Sequence, residues 1–215
     1  MIECAVFDLD GTLLNTLGDL CAAVNFAMLG MKQNRHTEEE VRAMIGDGVA
    51  KLIERALPND AKQLAPQALE RFRSYYETHI NVHTMPYPGI ENLLRRLRSK
   101  GIRTAILTNK NESAALLLAE KFFPKLFDIV RGGRTGVRLK PHPDALTDIL
   151  STLNVAPQNA AMVGDSSNDM YTAAGAGVHG IGVSWGYRRE EELFDSGAER
   201  VAKDAEELYT FLLSV

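Results

Sequence analysis

Six short apolar runs, separated by longer stretches of helical periodicity, constrain the fold of this chain more than any other feature. The runs cover residues 2–7, 103–107, 127–130, 160–163, 180–183 and 199–202. Leucines at helical spacing lie between most of the runs, as at Leu93, Leu94 and Leu97. Strands that alternate with helices predict a parallel sheet with helices on both faces. We therefore predict an α/β fold whose ligands bind beyond the carboxyl ends of the strands.

One stretch, residues 16–82, breaks this alternation because it shows helical patterning and no convincing strand. Within it, Thr37 and Glu40 have the spacing of a capping box, which marks a helix start. Prolines follow the stretch, and a proline cannot continue a helix. We predict an all-α helical insert at 16–82, joined by two hinges to a core made of residues 1–15 and 83–215.

The composition excludes several kinds of partner. The 24 basic and 28 acidic residues give a formal net charge of −4, and the basic residues are scattered, whereas a nucleic acid is held mainly by clustered lysines and arginines. No apolar run approaches the roughly 20 residues that a membrane span requires. The two cysteines, Cys4 and Cys21, cannot form a disulfide framework. We expect a cytoplasmic monomer or homodimer with no nucleic-acid or membrane partner.

Two acidic side chains follow the first apolar run. Asp8 and Asp10 are two residues apart, so on an extended chain their carboxylates point the same way. Like charges this close are costly unless a metal ion or a proton neutralises them. Gly11 then allows the backbone to turn and to approach a ligand closely. An isolated pattern of this kind is more often an acidic loop with a turn glycine.

Further polar residues stand at three other predicted strand ends, and they change that interpretation. They are Thr108, Asn109 and Lys110, then Lys140, and finally Asp165 and Asp169. Each group alone has an ordinary explanation, as a helix cap or a surface lysine. Their recurrence at one strand end after another favours a single site instead.

The motif set resembles that of the haloacid dehalogenase superfamily of aspartate-nucleophile phosphohydrolases. Its four motifs have counterparts in Asp8-Leu9-Asp10-Gly11-Thr12-Leu13, in Thr108, in Lys140, and in Gly164-Asp165 to Asp169. The resemblance spans essentially the whole chain and implies a Rossmann-like core with a helical cap domain at 16–82. Three further segments resemble the phosphoglycolate phosphatase branch: Ile45-Gly46-Asp47-Gly48, Thr108-Asn109-Lys110 and Val183-Ser184-Trp185-Gly186-Tyr187.

The resemblance implies Mg²⁺-dependent hydrolysis of a small phosphorylated metabolite through an aspartyl-phosphate. Asp8 is the implied nucleophile, and Asp10 the implied acid and base. Asp8, Asp165 and the backbone carbonyl of Asp10 are the implied metal ligands. Asp169 is implied to orient the metal site or Lys140 without ligating directly.

The remaining implied contacts concern the phosphate and the leaving group. Thr108, Lys140 and Asn109, with the backbone around Gly11 and Thr12, are implied to bind the phosphate, and Thr108 and Lys140 also count as catalytic. In the cap, the turn at Gly46, Asp47 and Gly48 is our candidate for contact with the substrate. The chain departs from the branch at Asn15, where an acid is usual, and at residues 132–138, which are unusually basic.

Other activities stay open at this point. A sugar-phosphate mutase similar to β-phosphoglucomutase would share every core residue, and inorganic pyrophosphate is another credible substrate. Asp10 disfavours dehalogenation, because the dehalogenase members lack the second acid of the first motif. A non-enzymatic phosphoacceptor module belongs to a different class, and it would leave the insert and Asp10 without a purpose.

Overall fold

A computed structural model describes residues 1–214, and a six-stranded parallel sheet forms its centre. The chain contains eight described strands: β1 Cys4–Phe7, β2 Leu14–Asn15, β3 Met85–Pro86, β4 Arg103–Asn111, β5 Ile129–Gly133, β6 Ala160–Gly164, β7 His179–Val183 and β8 Arg200–Ala202. The large sheet has the order β5-β4-β1-β6-β7-β8, and its strand pairs are parallel. The α/β prediction is therefore confirmed, and each predicted apolar run overlaps one strand of this sheet.

Helices precede, connect or follow the strands of the large sheet. They are α5 Ile90–Ser99, α6 Glu112–Phe122, α7 Asp144–Leu153, α8 Ser167–Ala176, α9 Glu190–Asp195 and α10 Ala205–Ser214. Helices α5 to α9 precede or connect strands of this sheet, and α10 follows its last strand. All four residues of β1 are fully buried, as expected for a central strand that is covered on both faces. This burial explains why β1 is an uninterrupted apolar run and shows no alternation of polar residues.

The strand order creates a crevice beside β1. From β1 the chain first builds β4 and β5 on one side, then returns to build β6, β7 and β8 on the other. Connections therefore leave β1 and β6 in opposite directions, and such a switch point opens a ligand crevice beyond the carboxyl ends of the strands. At that end, the Asp8 N–H donates to the Val163 carbonyl at 2.9 Å.

Two strand features differ from the sequence prediction. β4 extends to Asn111, four residues beyond the predicted end, with an irregular register between Leu107 and Asn111. Thr108, Asn109 and Lys110, which we expected beyond the end of the strand, therefore still lie on extended backbone. β2 and β3 form a two-stranded sheet that we did not predict, because two-residue strands are too short to show periodicity.

The chain divides into two compact units: the first comprises Met1–Leu14 and the residues from Pro86 onward, and the second spans Asn15–Met85. The helices of the second unit are α1 Leu17–Gly30, α2 Glu38–Met44, α3 Val49–Ala56 and α4 Ala65–His79, with a 3₁₀ helix at Asn59–Leu64. The helical patterning is confirmed, and so is the capping box, in which Thr37 and Glu40 bond reciprocally. Whether this unit is a separate cap domain with the boundaries given above stays a prediction.

The second unit begins with a side-chain turn. Asn15 Oδ1 accepts a hydrogen bond from the Leu17 N–H at 3.2 Å. The residue at which the chain departs from the branch therefore supports the start of α1.

No helix among residues 1–214 has the length and apolar character needed to cross a membrane.

A buried carboxylate joins the two ends of the second unit. Asp19, on α1, accepts hydrogen bonds from the N–H groups of His83 and Thr84 at 2.8 and 2.9 Å and from the Thr84 hydroxyl at 2.7 Å. The residue is 2% exposed. Because the two Thr84 donors are buried with the carboxylate, the carboxylate fixes the path of the chain as it leaves the unit.

We predict that Asp19→Asn lowers the free energy of unfolding by about 1–3 kcal/mol, because the new amide presents a donor to buried donors. Urea denaturation monitored by circular dichroism measures the change. Asp60→Asn, at an exposed position in the same unit, is the matched control. Equal stability of the two variants would contradict this role for Asp19.

Candidate active site

Chemically reactive side chains converge at the carboxyl ends of adjacent strands in the first unit. Asp8 and Asp10 follow β1, Thr108 to Lys110 lie at the end of β4, Lys140 lies in the loop after β5, and Asp165 and Asp169 follow β6. Asp8, Asp165 and Asp169 each place a carboxylate oxygen within 4.8 Å of the other two. The positions predicted at separate strand ends therefore meet in one place.

Lys140 connects two of these carboxylates. Its Nζ lies 2.9 Å from Asp8 Oδ1 and 2.6 Å from Asp169 Oδ1, and its side chain is only 2% exposed. Burial alone would lower the pKa of Lys140, but the charges of Asp169 and Asp8 outweigh burial and raise the pKa above its ordinary value. Lys140 is therefore held as an ammonium ion beside Asp8.

Two acids of the cluster, Asp8 and Asp165, have too little positive charge around them to be fully ionised. Burial raises the pKa of Asp8 to about 6, although the charge of Lys140 lowers it. Burial also raises the pKa of Asp165 to about 8, and the charge of Asp8 adds to the effect. Both shifts mean that ionised carboxylates are disfavoured here until a further cation is present.

The donor set fits a hard divalent cation. Mg²⁺ prefers oxygen ligands, and carboxylates supply them. Four carboxylates, of Asp8, Asp10, Asp165 and Asp169, stand against the two ammonium groups of Lys110 and Lys140. Within residues 1–214, buried Asp8 Oδ1 also makes no well-aligned hydrogen bond, despite its proximity to Lys140. A buried carboxylate oxygen that makes no well-aligned hydrogen bond, in a site with excess negative charge, is suited to a metal ion.

Asp165 is fixed on both of its oxygens. The Thr12 hydroxyl donates to Oδ1 at 3.1 Å, and the Tyr187 N–H donates to Oδ2 at 2.7 Å. Two glycines pack against the same carboxylate, since a Cβ atom at Gly11 or at Gly186 would lie 2.3 or 2.2 Å from Asp165 atoms. These residues leave the Asp165 carboxylate little freedom to move.

The segment from Trp185 to Tyr187 is a part of the site to which our sequence analysis assigned no role. It follows β7, and the Trp185 indole N–H donates to the Thr12 carbonyl at 3.0 Å. This bond joins the segment to the turn after β1, which holds Asp10 and Gly11. Its position directly after a predicted strand could have revealed it in the sequence, but it contains no charged residue that would have marked it as functional.

Lys110 is a second buried lysine of the site, and our sequence analysis gave it no specific role. Its Nζ lies 2.9 and 3.1 Å from the two carboxylate oxygens of Asp10. The alternation of side chains along β4 puts Thr108 and Lys110 on the same side. Only a prediction that β4 continues past Leu107 would have pointed to this pairing.

Asn109 contacts the backbone of Lys140. Its Oδ1 accepts from the Lys140 N–H at 2.8 Å, and its Nδ2 donates to the Lys140 carbonyl at 3.0 Å. The paired bonds fix the loop that carries Lys140 against the end of β4. The predicted contact of Asn109 with phosphate stays a prediction.

The other predicted phosphate-binding groups have local partners. The N–H of Gly11 donates to the Leu14 carbonyl at 2.9 Å, and that of Thr12 donates to the Leu9 carbonyl at 3.4 Å. The buried Thr108 hydroxyl accepts from the Lys110 N–H at 3.3 Å. Their contacts with phosphate also stay predictions.

The glycine turn of the second unit links α2 and α3. Gly46 and Gly48 have φ angles of 129° and 81°, which favour glycine. Arg55 holds the turn, because its guanidinium donates to the Met44 carbonyl at 2.8 Å and forms an ion pair with Asp47. A substrate contact of Gly46, Asp47 and Gly48 stays a prediction.

The basic segment at 132–138 is paired on the surface. Arg134 lies 3.4 Å from Glu112 on α6, and Arg138 donates to Asp144 on α7 at 2.8 Å. Exposed pairs of this kind contribute little stability, but they reduce the positive charge that the sequence suggested for this segment.

Comparisons with known proteins agree with the geometry. A family model described as haloacid dehalogenase-like hydrolase matches residues 5–183. A phosphoglycolate phosphatase of Neisseria meningitidis is 38% identical over 194 residues, covering 86% of this chain and 82% of the relative. That of Aliivibrio fischeri is 34% identical and covers 100% and 96%. The crystal structure of a candidate phosphoglycolate phosphatase from Lactobacillus delbrueckii has a TM-score of 0.92 and 31% identity, with 99% of each chain covered.

We predict that the metal-free protein becomes less stable as the pH rises between about 5 and 9. An unfolded aspartate releases its proton near pH 3.8, whereas folded Asp8 and Asp165 release theirs at about 6 and 8. The unfolded chain therefore binds fewer protons in this range, so that rising pH favours unfolding. Melting temperatures in a chelator measure the trend.

Two comparisons test whether Asp8 and Asp165 cause this pH dependence of stability. Asp165→Asn should flatten the decline, whereas exposed Asp60→Asn should not. Added Mg²⁺ should raise the melting temperature more at high pH than at low pH. A metal-free wild type whose melting temperature does not fall with pH would contradict the assignment.

We also predict that Gly186→Ala weakens Mg²⁺ binding by about tenfold or more, a loss typical of displaced supporting groups around a metal. The added methyl would overlap Asp165. Isothermal titration calorimetry with MgCl₂ measures the affinity. Gly180→Ala is the control, because its methyl would meet nothing nearer than 3.4 Å, and equal affinities would refute the prediction.

Proposed function

Because this chain belongs to the haloacid dehalogenase-like hydrolase family and is a phosphatase of that family, we propose that it hydrolyses a small phosphate monoester similar to phosphoglycolate. The observation that carries the proposal is the ion-paired group of Asp8, Lys140 and Asp169 beside Asp165. The names of the relatives support the substrate class.

The first step transfers the phosphoryl group to the enzyme. An Asp8 carboxylate oxygen attacks phosphorus while the bond from phosphorus to the leaving oxygen breaks, which gives an aspartyl-phosphate. Lys140 holds the attacking carboxylate and offsets part of its charge. Asp8, Asp165 and the Asp10 carbonyl would hold a Mg²⁺ ion, which would supply the positive charge that lets one anion approach another.

Asp10 moves the protons of both steps. It donates a proton to the leaving oxygen in the first step, which contributes about 10²–10⁴-fold in general. In the second step Asp10 takes a proton from water, which attacks the phosphorus of the aspartyl-phosphate. Inorganic phosphate then leaves, and the Asp8 carboxylate is regenerated.

Thr108, Lys140 and Asn109 complete the phosphate site. The Thr108 hydroxyl and the Lys140 ammonium donate to the phosphoryl oxygens, where negative charge spreads in the transition state. Asn109 supports this arrangement by fixing the Lys140 backbone. Asp169 orients Lys140 through the 2.6 Å ion pair, and also accepts from the Ser166 hydroxyl at 2.7 Å.

The helical unit is the proposed source of specificity. Closure of a cap over a substrate excludes water from the first step. The Gly46-Asp47-Gly48 turn is the proposed contact with the leaving group. Cytoplasmic location and a monomeric or homodimeric state stay predictions.

A phosphate-release screen with Mg²⁺ tests the substrate class. The panel contains phosphoglycolate, pyrophosphate, hexose 1-phosphates and nucleotides. Phosphoglycolate should give the highest kcat/KM, and a chelator should abolish release. Isomerised hexose phosphate without free phosphate would indicate a mutase instead, and a preference for pyrophosphate would indicate a pyrophosphatase.

We predict that Asp8→Asn abolishes turnover of every phosphate ester on the panel, because the amide cannot form the phosphoenzyme. The fold should survive, since Lys140 keeps its ion pair with Asp169. Phosphate release and circular dichroism measure the two properties, with Asp60→Asn as the control. Normal turnover by Asp8→Asn would exclude Asp8 as the nucleophile.

A further inference from the structure

We infer that Lys110 is a positioning residue, which holds the Asp10 carboxylate where it exchanges a proton with the leaving oxygen. The inference rests on the proposed function, because it concerns the acid of that reaction. It gives a role to Lys110, which the metal cluster of Asp8, Asp165 and Asp169 does not include.

The geometry of the pair carries the inference. Lys110 Nζ lies 2.9 Å from Asp10 Oδ1 and 3.1 Å from Asp10 Oδ2, so that one ammonium group contacts both oxygens. Charge-assisted hydrogen bonds are roughly twice as strong as neutral ones. Two of them on one carboxylate fix its plane as well as its position.

Burial makes this pairing costly to break. The Lys110 side chain is 5% exposed and that of Asp10 is 14% exposed. An ammonium group buried without a partner is strongly unfavourable, and so is an unpaired buried carboxylate. Rotation of Asp10 away from Lys110 would therefore give up a largely buried ion pair.

The extended path of β4 supplies the lysine. β4 ends at Asn111 and not at Leu107, so Lys110 follows Thr108 on the same side of the strand. The first motif presents Asp8 and Asp10 at a spacing of two in the same way. The two lysines of the site thus have different carboxylates: Lys140 lies beside Asp8, and Lys110 lies beside Asp10.

The charges of the two acids favour this pairing of each lysine with a different carboxylate. Asp8 and Asp10 repel each other, and the charge of Asp10 is one of the causes that raise the pKa of Asp8. Lys110 offsets this repulsion, because its ammonium group contacts both carboxylate oxygens of Asp10.

The chemical step defines what the position must achieve. As the Asp8–phosphorus bond forms, the phosphorus–oxygen bond breaks and its electron pair goes to the leaving oxygen. For this step Asp10 carries a proton on one carboxyl oxygen. The leaving oxygen takes that proton, and the negative charge left on Asp10 lies beside the Lys110 ammonium. The position matters most for alkoxide leaving groups, which need the proton, and least for nitrophenolate, which does not.

Leaving-group dependence therefore tests the inference. Lys110→Met removes the ammonium group and keeps an unbranched side chain. The kcat/KM values of wild type and variant are measured with phosphoglycolate, ethyl phosphate and p-nitrophenyl phosphate. The kcat/KM value reports the steps up to leaving-group release, so slower hydrolysis of the aspartyl-phosphate does not disturb it.

We expect Lys110→Met to lose about 10²-fold or more on both alkyl phosphates, the scale of general acid catalysis, and only a few-fold on p-nitrophenyl phosphate. Lys110→Arg, which keeps a cation, should retain the wild-type leaving-group dependence. Lys203→Met, at an exposed position, is the control. Circular dichroism confirms folding, and if Lys110→Met does not fold, Lys110→Gln replaces it.

Three outcomes would overturn the inference. An equal loss on all three substrates would mean that Lys110 supports the site as a whole. A loss confined to phosphoglycolate would mean that Lys110 binds the substrate carboxylate, and no loss would mean that Asp10 needs no such partner. Failure of the wild type to release phosphate from any ester would instead refute the proposed function.

Discussion

The excess of negative charge at the carboxyl ends of β1 and β6 is the constraint on which the rest of the structure depends. The strands bring Asp8, Asp165 and Asp169 together in a buried place. Such a cluster is unstable by itself, and the raised pKa values of Asp8 and Asp165 express that instability. Lys140 compensates for part of it through its contacts with Asp8 and Asp169. The remainder suits a divalent ion and, with it, an anionic substrate.

Much of the surrounding structure restricts motion and supplies no reactive group. Thr12 and Tyr187 hold the oxygens of Asp165, Asn109 holds the Lys140 backbone, and Trp185 joins its segment to the turn after β1. A reaction that depends on the alignment of charged groups becomes slower when those groups move out of alignment. These supporting contacts therefore determine how well the reactive groups work.

The sequence predicted the sheet and the reactive groups because both have local signals. Apolar runs mark the strands, and charged residues at their ends mark the site. The supporting contacts have no such signal: Asp19 meets Thr84, and Asn109 meets Lys140, only after folding. The pairing of Lys110 with Asp10 was missed for a different reason, since the predicted β4 stopped at Leu107 and hid the alternation of Lys110 with Thr108.

The strand order also bears on how the protein is made. β1 leaves the ribosome before β4 and β6, yet it lies between them in the sheet, and they begin only at Arg103 and Ala160. Until both have been synthesised, an apolar strand lacks neighbours on either edge, and unpaired strands of this kind are prone to aggregate. The helical unit at Asn15–Met85 emerges during that interval. Its early folding would shorten the exposed nascent chain and bring the distant ends of the interrupted core closer together.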